Sequence, residues 1–135
     1  MKKPMPFAAL AVVLVSAACS SSSSPPPCNE NPWECASGQT CWPKDPQTFA
    51  CLNSGPGKAG DACQNSLDSP TCGDGLACLQ TSTAGGTCRP YCDPASSSHA
   101  CAAGQTCQLV ALGGAAGAQF HVCYGAGTVA DSGTD

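Results

Sequence analysis

Apolar positions along the chain follow two patterns. Phe7 to Val15 (FAALAVVLV) is an unbroken run of nine, whereas beyond Cys28 the apolar residues come singly or in short alternating stretches between cysteines. A helix needs about 20 apolar residues to cross a bilayer, so the run is too short for a permanent span. With Lys2 and Lys3 before it and the small residues Ser16-Ala17-Ala18 after it, it reads as the apolar segment of a signal peptide covering residues 1–18.

The remaining apolar positions predict short antiparallel hairpins. In Gln119-Phe120-His121-Val122-Cys123-Tyr124, alternation puts Phe120 and Val122 on one face and His121 and Cys123 on the other. Cys107 to Leu112 is the outgoing strand and Gly113 to Gly117 the tip. Leu76 to Thr81 and Gly86 to Tyr91 flank a second tip at Thr83-Ala84-Gly85; Trp42, Pro43-Lys44-Asp45-Pro46 and Phe49 outline a third.

The cysteines order these hairpins into a repeat. The spacings are Cys28-x6-Cys35-x5-Cys41-x9-Cys51, Cys63-x8-Cys72-x5-Cys78-x9-Cys88 and Cys92-x8-Cys101-x5-Cys107-x15-Cys123. The middle interval keeps five residues with glycine at its centre (Gly38, Gly75, Gly104), and Gly-Gln-Thr-Cys recurs at 38–41 and 104–107. A central glycine suits a turn requiring positive φ. The fold class predicted is small and disulfide-rich, with three tandem four-cysteine units (28–51, 63–88, 92–123), short antiparallel β-hairpins and little helix outside the signal peptide. Residues 52–62 read as a flexible linker, the short Arg89-Pro90-Tyr91 connection predicts that the second and third units pack together, and 124–135 reads as a disordered tail.

Four cysteines allow three pairings within a unit, and spacing does not choose among them. First-to-third with second-to-fourth is the expected pairing, because the glycine-centred loop then clamps the two hairpin strands. It requires Cα atoms within about 7 Å.

Composition explains why sulfur is needed. After residue 18 there are six aromatics (Trp33, Trp42, Phe49, Tyr91, Phe120, Tyr124) and no isoleucine. Burial of so few large side chains does not offset roughly 1–2 kcal/mol of backbone entropy per ordered residue. Cross-links worth ~2–4 kcal/mol each take the place of the missing core, and bridges persist only in an oxidising compartment. Lys44, Lys58 and Arg89 stand against nine carboxylates, a formal charge of −6 after residue 18. That balance speaks against nucleic acid as a partner and against docking on anionic lipid.

The chain has thirteen cysteines, and twelve lie between Cys28 and Cys123. The odd one, Cys19, directly follows Ser16-Ala17-Ala18. Leu14-Val15-Ser16-Ala17-Ala18-Cys19 resembles the lipobox of bacterial lipoproteins, departing from the commonest form by Ser16 where leucine is preferred. The resemblance implies a lipid-modified Cys19 that becomes the N-terminus, and Ser20 after it is compatible with sorting to the outer membrane. Ordinary secretory cleavage of the Ser-x-Ala kind stays open. Residues 19–27 then form a tether, Ser-rich and then Pro-rich, of the kind lipoproteins carry. Gly60-Asp61-Ala62-Cys63 with Cys72-Gly73-Asp74-Gly75-Leu76-Ala77-Cys78 also resembles cysteine-rich modules of small secreted proteins, including those of Dickkopf-like proteins.

Reactive groups are sparse. Asp93, Ser96-Ser97-Ser98 and His99 contain triad residue types but crowd into one polar loop without a strained nucleophile turn. Cys92, Cys101 and His99 offer zinc ligands only if the cysteines stay reduced. Asp61, Asp68 and Asp74 lack the alternation of a calcium loop. No cofactor is expected. Trp33, Trp42 and Tyr91 form either a recognition surface or the miniature core of each unit. The expectation is a non-enzymatic, lipid-anchored envelope protein, facing periplasm or exterior, that contacts a protein or glycan. A secreted protease inhibitor presenting the Ala111 to Gln119 tip is the alternative, with a metal-binding or redox protein behind it.

Overall fold

In the computed structural model, residues 27–82, 85–113 and 117–125 are described; Cys19, the signal segment, most of the tether and residues 126–135 lie outside them. The described chain runs through a 3₁₀ turn (Pro32–Glu34), β1 (Gln39–Pro43), β2 (Phe49–Asn53), β3 (Ala62–Cys63), β4 (Leu76–Ser82), β5 (Gly85–Pro90), a second 3₁₀ turn (Ser97–His99), β6 (Thr106–Ala111) and β7 (Gln119–Tyr124). Among the described residues the seven strands pair antiparallel: β1–β2, the three-stranded order β3-β5-β4, and β6–β7. The fold is small, disulfide-rich and built of hairpins, and among the described residues no helix is long and apolar enough to cross a membrane.

Each hairpin is launched by a glycine turn. Gln39 donates to Ala36, Leu76 to Gly73 and Gln105 to Ala102, closing four-residue turns whose third residues are Gly38, Gly75 and Gly104 at φ of 81°, 66° and 82°. This is the left-handed region where a side chain is strained. The turn and the ladder fix the register, so the third and fourth cysteines face one another in every hairpin: Cys41 opposite Cys51, Cys78 opposite Cys88, Cys107 opposite Cys123.

None of these facing pairs is bonded. The bridges are Cys28–Cys41, Cys35–Cys51, Cys63–Cys78, Cys72–Cys88, Cys92–Cys107 and Cys101–Cys123, with Cα separations of 5.4 to 5.8 Å. Each set of four cysteines is thus joined first to third and second to fourth, and each strand of a hairpin is tied to a different stretch of the preceding loop. Among the described residues, eight of the fourteen buried hydrophobic residues are cysteines, so sulfur fills the interior as well as linking it.

Three expectations are corrected. Residues 52–62 are not a free linker: Gly55 and Gly57 donate to the Cys72 and Thr71 carbonyls, Gly73 donates to Gly57, and Gly60 and Asp61 bond with Cys88. Glycine there serves close approach rather than flexibility, since a Cβ on Gly57 would lie 2.6 Å from the Thr71 carbonyl oxygen. Secondly, the cores are shared rather than one per unit. Phe49 packs on Phe120 at 5.2 Å between ring centres, Tyr91 meets Phe120 edge-on at 5.9 Å, and Trp42 is buried among Cys63, Cys72, Cys78 and Cys88. The first hairpin therefore packs against both the second and the third. Thirdly, Tyr124 belongs to β7 rather than to a tail.

Candidate functional site

Of the aromatic residues considered for recognition, Trp42 and Tyr91 are withdrawn from the surface. Trp42 has no exposure and donates its indole N–H to the Ser66 carbonyl at 2.8 Å; Tyr91 is 4% exposed and donates its hydroxyl to the Cys41 carbonyl at 2.6 Å. Burial pushes the Tyr91 hydroxyl's pKa far above the ordinary tyrosine range. Trp33, half-buried, stacks on His99 with ring centres 3.8 Å apart, joining the first 3₁₀ turn to the second.

The triad-like loop is not assembled as a relay. The Asp93 carboxylate accepts the Ala95 N–H at 2.8 Å, Ser96 and Ser98 share a hydroxyl contact at 3.1 Å, and the His99 ring faces Trp33. Among the described residues no serine or aspartate side chain hydrogen-bonds to His99. The zinc candidates Cys92 and Cys101 are each bridged elsewhere. Sulfurs of Cys92, Cys101 and Cys123 lie within 4.8 Å of one another because two bridges stack, as they do in the other two units, and a bridged sulfur is not a thiolate ligand.

The carboxylates serve turns. Asp61 accepts the Lys58 N–H at 2.8 Å, while Asp45 accepts the Gln47 and Thr48 N–H groups and the Thr48 hydroxyl, which holds its pKa below the usual value. Asp74 reaches across units: the Ser54 hydroxyl and the Gly38 N–H, the latter at 2.7 Å, lower its pKa. Asp68 sits in a turn at φ 57°. These carboxylates therefore do not gather into an oxygen cage.

What remains is a cleft of about 750 Å³, within the range of ligand sites. One wall is a face of the β6–β7 hairpin, where register and alternation align Gln108 and Val110 with Phe120 and Tyr124, continued by Leu112. The other is Cys78, Leu79 and Gln80 of β4, with Asn65 beside them. Its lining is apolar and amide in character, without a charged side chain. Tyr124, 45% exposed, stands at its rim. The tip expected to present an inhibitory loop contributes Ala111, Leu112 and Gly113 to this cleft, while 114–116 lie outside the described residues. Sequence alternation exposed the Phe120 face; nothing local to Asn65 or Gln80 could have placed them opposite it.

Fold and surface together define a disulfide-stapled antiparallel β protein with an amphipathic cleft between its second and third hairpins. No protein-family profile, curated protein or solved structure matches the chain.

Proposed function

We propose that the chain is a lipid-anchored protein of the bacterial envelope, carried on the outer membrane and facing periplasm or exterior, that works as a non-catalytic binding or structural module. The observation that carries this reading is cysteine parity. Six bridges use all twelve cysteines from Cys28 to Cys123, which leaves Cys19 without a partner among them. That one cysteine follows Ser16-Ala17-Ala18, where a lipoprotein would be cleaved and acylated. Two or three acyl chains give a stable anchor where one is marginal. The Ser- and Pro-rich stretch to Pro27 sets the bridged body off from the bilayer. The uncharged cleft on an acidic chain supports contact with a protein or glycan and speaks against nucleic acid.

Intact mass of the protein extracted from membranes tests the reading. The expected result is a mass starting at Cys19 with a diacylglycerol-type adduct, rising by about 12 Da on reduction, one hydrogen per bridged cysteine. A mature chain that starts elsewhere, or that carries no lipid, overturns the anchor.

A further inference from the structure

The parity of the β4–β5 ladder decides which backbone groups of β4 face outward. Cys88 donates its N–H to the Asp61 carbonyl and accepts the Gly60 N–H, both at 2.9 Å. Both of its polar groups therefore point toward the β3 side, away from β4. Cys78, its Cα partner, sits in a non-hydrogen-bonded pair and turns its own N–H and carbonyl to the free edge of the sheet. The same parity puts Leu76 and Gln80 on that edge. The Leu76 carbonyl is there indeed, accepting the Thr40 hydroxyl at 2.9 Å.

Beyond Leu76 no described strand pairs with this edge. Cys41, which holds the place in the first hairpin that Cys78 holds in the second, has its carbonyl capped by the Tyr91 hydroxyl. Among the described residues no group caps the backbone N–H or carbonyl of Cys78 or of Gln80. Cys78 is 2% exposed, and buried backbone groups without partners are rare. Three successive residues, Cys78, Leu79 and Gln80, all line the cleft. Successive side chains alternate between the two faces of a sheet, so a run of three on one cleft marks a strand's edge. Opposite lie the apolar side chains of Val110, Leu112 and Phe120.

Building on the reading of the chain as a binding module, we propose that this cleft receives an extended, uncharged peptide segment of a partner protein, which adds as a further strand to β4 at Cys78 and Gln80. Main-chain hydrogen bonds supply the docking, and apolar side chains two residues apart press on Val110, Leu112 and Phe120. A charged segment would have to leave water for a wall with no counter-charge. A neutral glycan would engage the side-chain amides of Asn65, Gln80 and Gln108 and leave the strand edge without its partner.

The test uses the whole chain secreted with Cys19→Ser, isotope-labelled and with its bridges intact, and the probe acetyl-Thr-Val-Thr-Val-Thr-amide. Binding is expected to shift the Cys78 and Gln80 amide resonances and slow their exchange, with Leu79, whose N–H lies in the β4–β5 ladder, slow throughout. N-methylation of the probe on alternate residues should weaken it about tenfold, and Gln80→Pro should do the same, because it removes an outward donor and spares the ladder. If Gln80→Pro fails to form six bridges, the N-methylated probe decides alone. No change at Cys78 and Gln80 up to about 1 mM peptide, a millimolar ceiling for weak sites, overturns the proposal. So does equal affinity of methylated and plain probes. Shifts at these amides with cellohexaose but not with peptide assign the cleft to glycan; shifts on diluting the protein alone assign it to a second copy. A lipid-free mature chain would remove the anchor and leave this result standing.

Discussion

Tyr91 donates its hydroxyl to the Cys41 carbonyl at 2.6 Å, joining the connection between the second and third hairpins to the middle of β1, fifty residues earlier. The bond is buried, and the same ring packs on Phe120, which in turn packs on Phe49. One side chain therefore holds all three hairpins at their meeting point.

Tyr91→Phe is expected to cost about 1–3 kcal/mol in denaturant unfolding, since it strands a buried carbonyl without changing the ring. Burial raises the hydroxyl's pKa. The stability gained by keeping it neutral is full below the unfolded value of about 10 and is lost as pH rises beyond it. Up to about pH 11 the ultraviolet titrations of native protein and Tyr91→Phe should therefore overlay, apart from intensity. Above pH 10 their difference in stability should shrink.

Gly38 and Gly57 separate two uses of glycine. A Cβ on Gly38 meets nothing within 4 Å, so Gly38→Ala carries only the conformational cost of positive φ, about 1–2 kcal/mol. On Gly57 a Cβ would press on the Thr71 carbonyl oxygen at 2.6 Å and the Cys88 sulfur at 3.0 Å. Gly57→Ala should lower the denaturation midpoint further than Gly38→Ala, and equal effects would show that the 52–62 segment yields easily.

Asp74 links the second unit's turn to the first unit's. The Ser54 hydroxyl and Gly38 N–H lower its pKa, so its contribution to stability is present above the unfolded value near 3.9 and is lost as pH falls through the lower folded value. In urea unfolding, Asp74→Ala should be less stable than the native chain at pH 7. The two should converge as pH falls through the lowered folded value.

The hairpins were legible in the sequence because their signals are local. Five-residue intervals with central glycine mark the turns at Gly38, Gly75 and Gly104, and alternation around Phe120 and Val122 marks the return strand now seen at Gln119–Tyr124. The packing of the units was not legible. Tyr91 on Cys41, Trp42 on Ser66, Phe49 on Phe120 and Asp74 on Gly38 join residues 24 to 71 positions apart with no shared periodicity. The stretch Leu52 to Ala62 misleads for a related reason: glycines that permit tight backbone contact have the composition of a loose linker. The cleft's far wall was hidden likewise, because the outward parity of Cys78 follows from Cys88 bonding to Gly60 and Asp61, a tertiary fact.

Reduction tests most directly whether sulfur bridges, rather than apolar burial, hold the fold. Amide spectra of the Cys19→Ser chain should be recorded before and after excess reductant without denaturant, with thiols counted by alkylation. The expected result is no labelled cysteine before treatment, twelve after it, and collapse of the dispersed spectrum as the bridges open. A fully reduced chain that keeps its native spectrum, or a freshly isolated one with most of its thiols unpaired, would contradict it.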